Sequence, residues 1–453
     1  MKPMQIQDVL TATGGTLICG SPDAVITDVC TDTRKLIPGA LFVPLAGERF
    51  DAHSFIPAAL EGGCAASLTA QPAAAAQKPI IAVADTRRAL GDLAAAYRRR
   101  FTLPVVGITG SVGKTTVKEL TAAVLSRRLH VLKTAGNLNN EIGLPLTLFR
   151  LEDSHEAAII EMGMSGFGEI DVLARIAAPN IGIMTNIGLS HIEKLGTQEN
   201  IYKAKSELFA HIAPGGTVII NGDDPILASH RGEIPHKTIT VGLGAANDIT
   251  AKDIVTTDDE VRFTICYQNE AAQAVLHFPG AHNVTNALLA CAAGLCLGIS
   301  LAEAAEGLGD YIPNDKRMQL IEHNGYTIIN DCYNAAPASV LAALRVLCAK
   351  SGRKIAVLGD IKELGSYTEA SHRTIGKEAA ELGTTLLFTF GEAARFAAEA
   401  AVAAGMPQNA VFHFTDIDAL NKALSAQLAP GDTVLIKASR AMQLERVTEY
   451  ITR

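Results

Sequence analysis

The sequence predicts an α/β protein of several domains, with a mostly parallel central sheet carrying a phosphate-loop motif. Three observations carry this. The chain has 453 residues, more than one hydrophobic core normally serves. From Pro104 onward, strand-like apolar runs alternate with helical ones, the pattern of βαβ units. Third, "VVGITGSVGKTTVKEL", Val105 to Leu120, reads as a strand, a glycine-rich turn and a helix that opens on Lys-Thr-Thr.

Three sections follow from the patterning. Residues 1–103 hold short apolar runs such as "ALFVPLAG" and "PIIAVA", and close on the helical stretch "TRRALGDLAAAYRRR", where Thr86 is placed to cap. Residues 104–313 carry "VVGITG", "AAIIEMG", "IGIMTNIG" and "TVIING" as strands. The stretches "DEVRFTICY" and "AVLHFPG" then read as antiparallel strands, and "NVTNALLACAAGLCLG" as a helix. Residues 314–453 repeat the alternation through "YTIIND", "KIAVLGD", "LLFTFG", "AVFHF" and "TVLIKAS", a second doubly wound unit with its ligand edge at the carboxyl ends of the strands.

Composition narrows the function. Hydrophobic content of 48% with 19% charged residues describes a globular chain, and a net charge of −8 argues against a general nucleic-acid binder. Eight cysteines without a C-x-x-C pair read as buried reduced thiols. "MKPMQIQDVL" lacks the features of a signal peptide. The run "ALLACAAGLCLGISLA" is shorter than a membrane span and reads as a buried helix. A soluble, cytoplasmic protein without membrane insertion is expected.

The glycine turn is the chemical centre of the sequence. Backbone N–H groups of such a turn, followed by a helix N-terminus, make a fixed positive cradle for phosphates. Gly110, Ser111, Val112, Gly113, Lys114, Thr115 and Thr116 form it, with Lys114 near the outer phosphates and Thr115 placed to hold Mg²⁺. The spacing departs from G-x-x-x-x-G-K-[ST], since Ile108 stands where that template has glycine. Glu161 follows the next apolar strand and His191 the one after, a carboxylate and an imidazole able to share a metal ion, though imidazole is not the preferred ligand of magnesium. Lys203 and Lys205 stand two apart on a helix and so face different ways. From these residues alone the phosphoryl group has two open destinations. It goes to water, as in a switch or binding module, or to a second substrate, as in a synthetic enzyme.

Further segments recur in a fixed order: "TAGNLNNEIGLPLT", "IIEMGMSGFGEI", "TNIGLSHIEKLGT", "AKSEL", "HNVTNALLA", "NDCYNAAPAS", "VLGDIKELG" and "KASRAMQLE". With the glycine turn they resemble the Mur ligase family across nearly all of residues 104–453. "TDTRKLIPGALFVPLAGERFDAHSF" resembles the uridine-nucleotide domain of the branch that adds D-alanyl-D-alanine. The resemblance implies three domains. They would bind UDP-N-acetylmuramoyl-tripeptide (1–103), ATP (104–313) and the incoming amino component (314–453, Rossmann-like). It implies an ATP-dependent amide ligase working through an acyl phosphate, with Lys114, Glu161, His191 and Lys205 catalytic. Thr115, Glu161, His191 and a carbamylated Lys205 would hold Mg²⁺. Asn283 and Asn286 would contact adenine, Arg317 the phosphates and Asp331 the ribose. Thr33, Arg34, Arg49 and Phe50 would bind the muramoyl substrate. Asn137, Asn139 and Asn140 would line the reaction centre, and Tyr333, Asn334, Lys437, Ser439 and Arg440 would face the peptide. Asn330, Cys332, Ala336 and Ala438 depart from residues common at those positions. A monomer is expected. The rival readings are a diaminopimelate- or lysine-adding relative, a folylpolyglutamate synthase, and, in a different class, a nucleotide switch.

Overall fold

The computed structural model describes residues 1–47, 50–72, 76–313 and 317–453. Three main sheets organise it. A five-stranded sheet has the order Thr16–Cys19, Ile80–Ala82, Ala66–Thr69, Ala40–Phe42, Asp28–Cys30, parallel except at its first pair. A nine-stranded sheet is parallel from Val131–Lys133 through Ala157–Glu161, Val105–Thr109, Ile181–Met184, Thr217–Asn221 and Lys237–Gly242 to Ile249–Thr256. It ends in the antiparallel strands Val261–Tyr267 and Glu270–Leu276, as the sequence predicts. A six-stranded sheet has the order Gln319–His323, Tyr326–Asn330, Thr433–Lys437, Lys354–Gly359, Leu386–Phe390, Val411–Phe414, with only its first pair antiparallel.

The central parallel strands are apolar throughout because helices cover both faces. In Val105–Thr109, alternate residues enter different layers. Val106 and Ile108 pack with the helices Lys114–Leu125 and His282–Cys296, while Val105 shares a core with the helices Thr86–Arg98 and Glu169–Ala177. Ile108, the departure from the glycine template, is therefore a core residue with no exposed surface. The strand Val105–Thr109 lies between Ala157–Glu161 and Ile181–Met184; the chain leaves it toward Val131–Lys133 on one side and leaves Ala157–Glu161 for Ile181–Met184 on the other, a reversal that opens a crevice at the carboxyl ends of these strands.

Three local expectations are corrected. Thr86 does not cap the helix Thr86–Arg98. Asp85 does, accepting from Arg88 N at 2.8 Å, while Thr86 Oγ1 donates to Pro44 O at 2.6 Å. The run "ALLACAAGLCLGISLA" is not one helix. It ends at Cys296, turns through Gly298 at φ +80°, and restarts at Leu301 under a Ser300–Glu303 capping box. The eight cysteines are unpaired, but Cys19, Cys266, Cys296 and Cys348 are only half-buried. Among the described residues no helix is long and apolar enough to cross a membrane.

The N-terminal section is fastened to the central sheet. Tyr97, fully buried, donates its hydroxyl to Leu151 O at 2.7 Å. Arg98, 7% exposed, gives its guanidinium to the carbonyls of Phe101 (2.7 Å), Leu103 (3.2 Å) and Ala177 (3.2 Å). Removing it strands three buried carbonyls. Arg98→Ala is expected to destabilise the chain by about 3 kcal/mol, read as a lower denaturant midpoint. An unchanged midpoint would mean that the junction does not depend on this residue.

Candidate active site

The glycine turn sits at the crevice. Gly110 adopts φ +148°, and a Cβ there would come within 1.9 Å of Thr185 Oγ1, so glycine is required by both conformation and space. Gly113, at φ +84°, caps the helix Lys114–Leu125. The turn is laced to the loop after Ile181–Met184. Val112 N donates to Asn186 Oδ1 at 3.0 Å, Thr185 Oγ1 donates to Val112 O at 2.5 Å, and Gly188 N donates to Ser111 Oγ at 2.9 Å. These ties fix the cradle before any phosphate arrives.

Lys114 Nζ donates to Gly110 O at 2.8 Å and Ser111 O at 3.3 Å. Lys114 is half-buried, and partial removal from water holds its ammonium below the usual lysine range. Glu161 opposes that shift and Arg317 adds to it. Thr115 Oγ1 donates to Glu161 Oε2 at 2.9 Å, and Asn139 Nδ2 donates to Glu161 Oε1 at 2.8 Å. Lys118, 1% exposed, approaches the same carboxylate at 3.8 Å and donates to Thr134 O at 2.8 Å. Glu161 is thus held on both oxygens at a strand end that is 2% exposed.

His191 caps the short helix Ile192–Leu195 in a left-handed conformation, φ +65°. Burial lowers its pKa, against Glu363, whose Oε2 lies 2.5 Å from Nδ1; Lys205 and Lys114 lower it further. The ring is therefore biased toward the neutral form that binds metals. On the helix Gln198–Ser206, Lys203 is exposed and Lys205 is 1% exposed, so the two lysines part as their spacing predicts. Among the described residues, no hydrogen-bond or ion-pair partner meets Lys205. Burial, with Lys114 nearby, pushes it well below the usual lysine range.

The six-stranded sheet supplies the facing wall. Lys437, 3% exposed, donates to Asp331 Oδ2 at 2.5 Å and Asn334 O at 3.0 Å. Met318 N donates to Asp331 Oδ1 at 3.2 Å. The Arg317 guanidinium lies 3.9 Å from the Tyr333 ring centroid, a cation–π contact. From the central sheet, Asn286 Nδ2 donates to Asn283 Oδ1 at 3.1 Å, and Asn283 Nδ2 donates to Pro279 O at 3.2 Å. Asn140 Oδ1 accepts from Gly143 N at 2.8 Å and so shapes the turn that carries Asn137 and Asn139.

These walls enclose a cleft of about 1170 Å³. Ser111 to Thr116, Glu161 and His191 line one side. Asn137, Asn139, Asn140, Asn283 and Asn286 line it too, as do Arg317, Asp331, Tyr333, Asn334 and Lys437. Other expected residues stand outside the lining. Gly110 is not part of the lining, and Lys205 is buried. Ser439 Oγ accepts from Lys362 N at 2.9 Å, and Arg440 pairs with Glu445 at 2.5 Å. In the N-terminal section, Arg34 chelates Asp32 at 2.8 Å beside Thr33, and exposed Phe50 packs on Phe55 with centroids 5.4 Å apart. Arg49 lies outside the described residues. An Arg87–Glu141 ion pair nevertheless ties the N-terminal helix to the cleft-lining loop. Sequence reasoning missed Thr185, Asn186, Lys118 and Glu363 as parts of the site. The "TN" after the strand Ile181–Met184 and the lysine one turn beyond Lys114 were the available signals.

Comparison with known proteins agrees with this architecture. The Mur ligase middle domain matches residues 108–294, the Mur ligase glutamate ligase domain residues 316–440, and the Mur ligase family catalytic domain residues 25–98. A UDP-N-acetylmuramoyl-tripeptide–D-alanyl-D-alanine ligase of Bacillus subtilis is 40% identical over 94% of this chain and 93% of its own length. The Escherichia coli protein of the same name is 37% identical over 95% and 94%. The crystal structure of MurF from Acinetobacter baumannii superposes with a TM-score of 0.92 at 33% identity, covering 100% of this chain and 99% of that one. That of MurF ligase from Thermotoga maritima in complex with ADP gives 0.85 at 28% identity, covering 94% and 97%. With relatives of this identity spanning both chains almost end to end, the chain belongs to the Mur ligase family and is of the MurF type.

Proposed function

We propose that this chain joins D-alanyl-D-alanine to UDP-N-acetylmuramoyl-tripeptide at the expense of ATP, giving ADP and phosphate, in the making of peptidoglycan precursors. One observation carries the reading. The phosphate cradle of the central sheet and the Lys437–Asp331 pair of the C-terminal sheet open onto one cleft. A nucleotide switch needs the first wall only; a synthetic enzyme needs both.

The mechanism follows from charge and position. The cradle and Lys114 hold the outer phosphates of ATP, with Asn283 and Asn286 at adenine, Asp331 at ribose and Arg317 at phosphate. An oxygen of the tripeptide's terminal carboxylate attacks the γ-phosphorus. An O–P bond forms, the bond to the β-phosphate oxygen breaks, and ADP leaves. The carboxylate, which has no adequate leaving group, is now an acyl phosphate. The amine of D-alanyl-D-alanine attacks the acyl carbon, phosphate departs, and the nitrogen loses its proton as the amide forms. Lys114 offsets the charge on the γ-phosphoryl oxygens, and Asn137, Asn139 and Asn140 shape the space where the carboxylate lies. Tyr333, Asn334 and Lys437 face the dipeptide, with Ser439 and Arg440 bracing the loop behind. Thr33, Arg34, Arg49 and Phe50 hold the uridine nucleotide.

The residues present suit magnesium. Thr115, Glu161 and His191 offer oxygen and nitrogen donors. Among the described residues no three His, Cys, Asp or Glu side chains cluster as a metal site, and a carbamate on Lys205 would add an anionic donor. Lys205 is a buried amine without a partner among the described residues, and burial favours its neutral form, the form that reacts with CO₂ to give an anionic carbamate. When bound there, the metal supplies charge screening between carboxylate and triphosphate. Cytoplasmic location and a monomeric state complete the proposal, since ATP and a UDP-linked precursor are the substrates. Shielding an acyl phosphate from water also calls for the walls of the cleft to close on the substrates.

Three outcomes test this. With ATP and the muramoyl tripeptide, mass spectrometry is expected to show the pentapeptide product only when D-alanyl-D-alanine is added; product with glutamate and a folate instead would favour a synthase. Lys114→Ala is expected to lower the rate on the order of 10²-fold or more, and near-normal turnover would remove Lys114 from its role. Isotope-labelled bicarbonate is expected to yield a carbamate carbon resonance that Lys205→Arg abolishes. A resonance unchanged in that variant, or absent from the parent protein, would refute the carbamate.

A further inference from the structure

The loop that follows the strand Lys354–Gly359 belongs to the six-stranded sheet, yet it reaches the histidine of the nine-stranded one. Glu363 Oε2 lies 2.5 Å from His191 Nδ1 as an ion-pair contact; the two are not aligned as a hydrogen bond, and among the described residues that buried nitrogen has no hydrogen-bond partner. The backbones meet as well, with Glu193 N donating to Glu363 O at 3.2 Å. Glu363 adopts φ +63°. Gly365, at φ +50°, passes so close that a Cβ there would stand 3.2 Å from Glu193 Cα. The loop is braced from its own side. Ile361 N donates to His372 Nε2 at 3.1 Å, and Lys362 N donates to Ser439 Oγ at 2.9 Å. The Glu363 side chain remains 54% exposed, so burial does not bring the pair together. A carboxylate at Nδ1 acts on a neutral imidazole in one way. Once a small turn of ring or carboxylate aligns the pair, it would accept the Nδ1 proton's hydrogen bond, leaving the free lone pair on Nε2 and fixing the plane of the ring.

We infer that Glu363 is a positioning residue, a carboxylate of the C-terminal sheet that sets the tautomer and orientation of His191. It completes the divalent-cation site of the central sheet only while the two sheets are seated together. The inference rests on the reading of His191 as a metal ligand. It makes cation binding and the seating of the C-terminal sheet two aspects of one equilibrium, because the carboxylate that meets His191 Nδ1 comes from across the junction. It also gives Ser439 a task outside the cleft, since its hydroxyl steadies the loop that carries Glu363.

The test uses full-length protein with ADP, and Mn²⁺ as a paramagnetic probe titrated by electron spin resonance. Glu363→Ala is expected to weaken Mn²⁺ binding about 10-fold or more. Glu363→Gln, which keeps an acceptor oxygen, is expected to recover most of that loss. In nitrogen NMR of the metal-free protein, His191 is expected as the Nδ1–H tautomer in the parent and in Glu363→Gln, and as a mixture in Glu363→Ala. A purely structural role would not move that signature. His191→Ala separates the two layers of the argument. Weak Mn²⁺ binding in His191→Ala, with parental binding and an unchanged tautomer in Glu363→Ala, would overturn the role of Glu363 and leave the metal reading standing. Parental binding in His191→Ala would overturn the metal reading and this inference with it.

Discussion

Two lysines in one neighbourhood, Lys114 half-buried at the cleft and Lys205 fully buried, are the constraint on which this site depends. Lys114 is folded onto the carbonyls of its own loop, and Lys205 is buried beside it without a carboxylate of its own. Lys114 lowers the preference of Lys205 for charge, and both lower that of His191. An arrangement of this kind is costly unless a polyanion arrives to use it. On the proposed reading a triphosphate supplies the anion for Lys114, and conversion of Lys205 to a carbamate would remove the second cation. The carboxylate Glu161 offsets part of the charge meanwhile, held on one oxygen by Thr115 and on the other by Asn139.

The division of labour between sheets follows from the chemistry. The parallel central sheet can place a cradle, a carboxylate and an imidazole at three adjacent strand ends, because strands of one direction present their carboxyl ends together. It leaves no wall opposite the phosphates. The six-stranded sheet provides that wall through Asp331, Lys437 and Arg317, and it is held at more than one place. Lys350 reaches the carbonyl of Asp258 at the tip of the central hairpin, and Glu363 meets His191 at the site. The second sheet therefore brings its own side chains to the cleft and places Glu363 against His191.

Much of the fold was legible in the sequence because buried parallel strands are unbroken apolar runs, and the runs chosen at Val105, Ala157, Ile181, Thr217, Lys354 and Thr433 are strands. The loop was legible from glycines whose conformations only glycine adopts easily, as Gly110 shows against Thr185. The parting of Lys203 and Lys205 followed from helical geometry. Where reading failed, the deciding partner was distant in sequence or the competing local signals were close. Thr86 and Asp85 are both good caps, and a hydrogen bond to Pro44 took Thr86 away. The apolar run after Asn286 hid a break at Gly298 because both flanking helices are equally apolar. Glu363 sits in a polar turn that no local pattern connects to a histidine on another sheet. Ser439 and Arg440 lie next to Lys437 in sequence, but the turn after the strand directs them to Lys362 and Glu445.

The claim that underlies the whole account is that the γ-phosphoryl group passes through the substrate's own carboxylate. Labelling the terminal carboxylate of UDP-N-acetylmuramoyl-tripeptide with heavy oxygen, completing one round of synthesis and analysing the released phosphate by mass spectrometry addresses it directly. The account predicts that each phosphate carries one labelled oxygen, because the amine displaces the phosphate together with the oxygen that bridged it to the acyl carbon. Product formed with wholly unlabelled phosphate would contradict it.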